Sequence, residues 1–178
     1  LGGKFRDKIR IYCDTDVRGR NTGTAMGEAL KKRMEMGFTF LKMDLGIGQL
    51  GDEEGTLSAP LGFLEQMRGG WRRSTEGMSD EERRWARNRW YDVFNIAHPF
   101  TGIHITEKGL DILEQYVADV RSVIGYEVPL AVDHFGHIGV EDGIKLAQRI
   151  DKYNLAWLED MVPWQLTDQY VRLAQSCT

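Results

Sequence analysis

A chain of 178 residues has room for one ordinary domain with a sizeable core, and 42% apolar with 28% charged residues describes a soluble, globular protein rather than a disordered one. The formal charge of −4 excludes global attraction to nucleic acid or to an anionic membrane, so an anionic substrate has to be held by local lysines, arginines or a metal. No apolar run reaches transmembrane length, no signal-peptide pattern stands at the amino end, and Cys13 and Cys177 lie far apart without metal-ligand spacing, which leads to the expectation of a reducing, cytoplasmic setting.

In chain order, Lys8 to Cys13 reads as a strand. Thr24 to Met36 reads as a helix with Met26, Leu30 and Met34 inward and Gly37 just past its end. Phe38 to Asp44 is a second strand. Thr106 caps a long helix whose inward stripe is Leu110, Leu113, Val117, Val120 and Ile124, with Gly125 as its stop. A third strand runs from Pro129 to Asp133, a helix from about Val140 to Lys152 leads to a fourth strand at Leu155 to Glu159, and Thr167 starts a last, short helix. Strands alternating with helices imply α/β architecture with a parallel sheet, either doubly wound or part of a (β/α)8 TIM-type barrel. Four such units make half a barrel, since a complete one takes about 250 residues. The opening Leu1-Gly-Gly-Lys and the stop at Leu173 to Thr178, where a fifth strand is due, suggest a piece cut from something longer.

Residues 46–105 form a long insert on the carboxyl side of the second strand, and loops of that length in compact domains are usually functional lids or disordered. Ser79-Asp-Glu-Glu82 is a capping box, and the helix it starts carries Trp85, Ala86, Trp90, Val93 and Phe94, which read as packing residues. Arg72, Arg73, Arg83, Arg84, Arg87 and Arg89 stand beside aromatics, but interleaved acids argue against nucleic acid and for a lid offering an arginine to a substrate carboxylate.

The chemistry-bearing residues gather at strand ends. Asp133 and Glu159 each end a short apolar run, and their spacing fits one strand-helix-strand unit, so both emerge where such folds place their sites. Two hard oxygen ligands suggest a divalent cation, above all Mg²⁺, and the alternative is an acid pair capping helices or facing solvent. Lys42 and Asp44 share one side of the second strand, as an internal ion pair or as a substrate-carboxylate contact and proton acceptor. His134 and His137 follow Asp133 directly, as acid/base candidates or as residues that hydrogen-bond backbone. His98 and His104, at the far end of the insert, are weaker candidates for the same mouth.

Lys42 ending strand two, Val-Asp133-His ending strand three and Trp-Leu-Glu159-Asp-Met-Val-Pro163 ending strand four together resemble the enolase superfamily, within it the mandelate racemase/muconate lactonizing enzyme group with its acid-sugar dehydratases. The resemblance covers nearly the whole chain and implies the first four βα units of the barrel over 1–178. It further implies 46–105 as an active-site lid, with the amino-terminal capping domain and strands five to eight absent. It implies Mg²⁺ held by Asp133, Glu159 and a third acid beyond the chain, and proton abstraction alpha to a carboxylate followed by loss of water from a sugar acid. Lys42 would contact the substrate carboxylate and take part in catalysis, His134 or His137 would serve as acid/base, and Asp44 and His104 would bind substrate. Asp44 stands where many members carry a second lysine, which disfavours a racemase relying on that lysine. Racemisation, epimerisation and cycloisomerisation share the first step and remain alternatives. So do a metal-dependent sugar isomerase with direct histidine ligands and an inactive half barrel. The expected partners are a small carboxylate substrate and a second copy in a homo-oligomer, with neither nucleic acid nor membrane.

Overall fold

A computed structural model describes residues 2–15, 22–50, 53–59, 77, 79–82, 102–134, 138–163 and 165–178. The main sheet holds β1 (Cys13–Thr15), β2 (Leu41–Asp44), β5 (Leu130–Asp133) and β6 (Leu158–Glu159) in the order β1-β2-β5-β6. Every neighbouring pair is parallel. A second, two-stranded antiparallel ribbon pairs β3 (Leu57–Ser58) with β4 (His104–Ile105). The helices are α1 (Gly23–Glu35), α2 (Glu107–Ile124), α3 (Val140–Ile150) and α4 (Thr167–Ala174), with one-turn 3₁₀ helices at Ile47–Gln49 and Asp151–Tyr153.

Alternation along the strands separates two faces. Leu41, Met43, Leu130 and Val132 point to one side, where they join Met26 and Leu30 of α1, Leu110, Leu113, Val117 and Val120 of α2, and Leu146 and Ile150 of α3 in one core. Lys42, Asp44, Ala131 and Asp133 belong to the opposite face. Helix ends follow the capping chemistry in the sequence. Thr106 Oγ1 accepts from the Gly109 amide at 3.2 Å and Gly125, at φ 67°, closes α2 by donating to the Arg121 carbonyl. Thr22 caps α1 by accepting from the Ala25 amide. α1 can lie tightly on α2 because Gly23 and Gly27 face it: a Cβ on Gly23 would come within 2.4 Å of the Tyr116 carbonyl oxygen.

Four elements differ from expectation, among them β2, which starts at Leu41 rather than Phe38. β1 starts at Cys13 rather than Lys8, because ladder partners exist only from Cys13 opposite Leu41 onward; Ile9 and Ile11 stay exposed. β6 is shortened to Leu158–Glu159 because the chain first turns through Asn154 in the left-handed region. α3 ends at Ile150 and tightens into the 3₁₀ turn.

The amino ends of the strands are tied by one buried arginine. Arg121 of α2 donates from Nε to the Tyr153 carbonyl at 3.0 Å, from Nη2 to Asn154 at 2.7 Å, and from Nη1 to Gly125 at 3.0 Å and Val128 at 3.3 Å. It thereby joins the turn before β5 to the turn before β6. The roots of the insert are stapled at the opposite end: the Thr106 hydroxyl donates to the Gly55 carbonyl at 2.7 Å, and Lys108 pairs with Glu53 at 2.8 Å. Ser79 and Glu82 form the expected capping box, while Trp85, Ala86, Trp90, Val93, Phe94, His98 and the insert arginines lie outside the described residues.

Candidate active site

Register brings the carboxyl ends of β2, β5 and β6 together: Asp44 is opposite Asp133, and Asp133 is opposite Glu159. Lys42 stands two residues earlier on the same face, and its side chain reaches forward to both acids. Its Nζ lies 2.8 Å from Asp133 Oδ2 and 3.0 Å from Glu159 Oε2. The lysine side chain is 8% exposed, Asp133 11% and Glu159 36%, so the pair with Asp133 is buried while Glu159 opens to solvent. Burial opposes the lysine's charge, but the hydrogen bonds to Asp133 and Glu159 outweigh it and hold its pKa well above the ordinary lysine value. The Lys42 ammonium in turn holds Glu159 below the usual carboxylate range, assisted by the Trp157 indole N–H, which donates to Glu159 Oε2 at 3.1 Å.

Beneath the charges lies an aromatic floor on the same face. Trp157 stacks on Phe40 with ring centres 4.9 Å apart and meets Tyr12 edge-on at 5.8 Å, and the Lys42 ammonium sits 5.6 Å from the Tyr12 ring centre. Asp160 follows Glu159 in the left-handed region at φ 49°, a conformation that aspartate tolerates better than most residues. Partial burial and the charges of Asp133 and Glu159 raise its pKa, so it feels the same negative field. Asp160 escaped the sequence reading as a site residue; its signal was an acid directly after a strand-end acid.

His134 takes a different position from the one expected of an acid/base. It is fully buried; its Nδ1–H donates to the Leu45 carbonyl at 2.8 Å and its backbone amide to the Glu159 carbonyl at 2.9 Å. The carbonyl acceptor assigns the proton to Nδ1 and leaves Nε2 a bare, buried acceptor with no hydrogen-bond partner among the described residues. Burial pushes its pKa down, favouring the neutral ring. Together with the Leu45 amide donating to the Asp133 carbonyl at 2.8 Å, His134 locks the three strand ends in register. Gly46 packs closely against this lock: a Cβ there would stand 3.0 Å from the His134 carbonyl oxygen.

His104 is brought to the same end of the sheet on β4, but its partner is α3. Its Nδ1 lies 3.0 Å from Oδ2 of Asp142, a buried acid that also accepts from the Ile105 amide at 3.3 Å and sits 3.4 Å from the Lys145 ammonium. Asp142 went unnoticed in the sequence, where an acid in the first turn of a helix is an ordinary dipole partner. His137 lies outside the described residues.

For a divalent cation the donor set is suited but partial. Asp133 and Glu159 already aim one oxygen each at a single positive charge, and Mg²⁺ characteristically takes one or two carboxylates and completes its shell with water and substrate oxygens. No group of three or more metal-binding side chains is found among the described residues. No described helix is long and apolar enough to cross a membrane.

A parallel α/β sheet with acids converging at the carboxyl ends of adjacent strands defines the class. Residues 25–178 match the family described as Enolase C-terminal domain-like, and the chain belongs to that family. Among sequence relatives it is 22% identical over its whole length to a D-galactonate dehydratase family member, RspA, of Cellvibrio japonicus, covering 37% of that protein. It is 24% identical to a D-mannonate dehydratase of Rhizorhabdus wittichii over 92% of this chain and 33% of the relative. A D-xylonate dehydratase of Haloferax volcanii is also 24% identical, over all of this chain and 32% of the relative. The chain thus spans about a third of the length of the relatives it matches. Among solved structures, a mandelate racemase/muconate lactonizing enzyme-like protein from Rubrobacter xylanophilus superposes with TM-score 0.63 at 18% identity, over 99% of this chain and 37% of the other. An enolase superfamily member from Salmonella Typhimurium gives 0.61 at 16% identity, over 99% and 37%.

Proposed function

We propose that the chain carries part of the site of a Mg²⁺-dependent sugar-acid dehydratase, in the first four units of a (β/α)8 barrel. The single observation behind this reading is one ammonium, Lys42, held between Asp133 and Glu159 at the ends of adjacent parallel strands. Asp133 and Glu159 would hold the metal, which when bound supplies positive charge against an anionic substrate. Lys42 binds the substrate carboxylate, and Asp44 and His104 contact the sugar hydroxyls. Segment 46–105 acts as a lid whose two roots are held together by the β3–β4 ribbon and the Thr106 staple. The acid/base role goes to His137, because the fully buried His134 has no face toward substrate and instead holds the strand ends.

The reaction removes the proton from C2 and the hydroxyl from C3 as water, leaving an enol that tautomerises to the 2-keto-3-deoxy acid. Sugar-acid dehydratases among the relatives support this over racemisation or cycloisomerisation, which share only the first step. Incubation with D-galactonate, D-mannonate and D-xylonate tests the reading. Mg²⁺-dependent 2-keto acid formation that Asp133→Asn abolishes supports it. Product insensitive to Asp133→Asn, or no Mg²⁺ binding that depends on Asp133, overturns it.

A further inference from the structure

Lys42 and a divalent cation need the same oxygens. The ammonium lies 2.8 Å from Asp133 Oδ2 and 3.0 Å from Glu159 Oε2, so those two atoms point at one spot between β5 and β6. Mg²⁺ draws carboxylate oxygens to about 2.0–2.1 Å, and an ammonium and a metal cannot share that spot. The four-carbon stem of lysine is flexible enough to withdraw while Asp133 and Glu159 stay fixed by the strand-end hydrogen bonds of Leu45 and His134. We propose that Lys42 is the internal counter-ion of the Asp133 and Glu159 carboxylates and exchanges with the divalent cation, becoming free for the substrate carboxylate only once metal is bound. This rests on the metal reading above and adds an order of events to it.

Charge makes the order necessary. Without metal, one ammonium faces two carboxylates, with Asp160 close enough to feel both acids, and the site repels an anion. With a divalent cation on the acids and the ammonium released beside it, the site gains two positive charges and a free ammonium to receive a carboxylate. The device therefore favours entry of a sugar acid after metal over entry before it. It also spares Asp133, largely buried, from standing uncompensated in the metal-free state, which is costly for a buried carboxylate.

Two measurements test the exchange. Calorimetric titration with Mg²⁺ compares the wild type with Lys42→Met and Lys42→Arg. Removing the competing charge is expected to tighten binding by at least about tenfold in Lys42→Met, whereas the forked guanidinium of Lys42→Arg grips the acids and weakens it. On the wild type alone, amidination of lysines followed by peptide mass mapping reads the accessibility of Lys42 with and without Mg²⁺. Labelling of Lys42 is expected to rise when metal is added, with surface lysines such as Lys31 as the internal control. Unchanged or reduced labelling, or Lys42→Met binding Mg²⁺ no more tightly than wild type, overturns the exchange while leaving the metal site standing. If neither the wild type nor Lys42→Met binds Mg²⁺, the metal reading itself fails.

Discussion

Replacing Arg121 by methionine removes the clip that joins the turn before β5 to the turn before β6. Arg121 is 3% exposed, and the four carbonyl bonds of its guanidinium are the means by which α2 holds both turns. Hydrogen bonds to a charged group net roughly 1.5–3 kcal/mol each. Their sum overstates the loss, because deleting the side chain also removes the cost of desolvating the guanidinium, and the exposed Asn154 turn admits water to its carbonyl. The expected destabilisation is about 3 kcal/mol, at the upper end for a single substitution. In urea, with a slope of about 2 kcal/mol/M, the midpoint should fall by roughly 1.5 M without a change in slope. An Arg121→Lys variant keeps the charge but not the fork and should recover only part of the loss. Since the clip lies at the amino ends of the strands, divalent-cation affinity should be unchanged below the transition. Arg121→Met unfolding within about 0.5 kcal/mol of wild type would refute the reasoning.

Gly46→Ala forces a methyl against the His134 carbonyl oxygen and should cost about 1–3 kcal/mol while weakening cation binding, measured by urea unfolding and calorimetry on the same preparation. His134 gives a pH dependence of definite sign: its pKa is below 6.5 when folded because of burial and returns to about 6.5 on unfolding, so the unfolded chain takes up the proton first. Stability from this group is complete above about pH 6.5 and is lost as pH falls below it, by up to roughly 1.4 kcal/mol per pH unit, and His134→Gln should flatten that slope in unfolding curves between pH 7.5 and 5.5. Asp142→Ala removes the acceptor shared by the Ile105 amide and His104, so amide exchange at Ile105 should accelerate by at least about tenfold.

The contrast between Thr106 and Arg121 explains how far the sequence could be read. As caps, Thr106, Gly125, Ser79 and Glu82 act on their own helices, within a few residues, and that chemistry is visible as local pattern, whereas the Thr106 staple to Gly55 is not. The stripe from Leu110 to Ile124 is likewise local periodicity, and all five of its residues are buried. Asp133 and Glu159 were legible as neighbours because strand, helix and strand repeat at a regular interval. Arg121, Asp142 and the buried face of His134 act across elements that the chain brings together only in three dimensions, and nothing adjacent in sequence marks them. Lys42 is intermediate. Its face was readable from alternation, while its partners Asp133 and Glu159 were set by the order β2-β5-β6. Lys8 to Tyr12 shows the converse: the apolar alternation is present, yet a strand needs a ladder partner and begins only at Cys13.

The most direct test of the metal centre is a Mn²⁺ titration followed by electron paramagnetic resonance, in which the six-line signal of free Mn²⁺ disappears as the ion binds. One saturable site in the wild type, lost in both Asp133→Asn and Glu159→Gln with the fold intact by circular dichroism, is the expected result. Binding that survives both substitutions, or no binding by the wild type, would contradict the assignment of these two carboxylates.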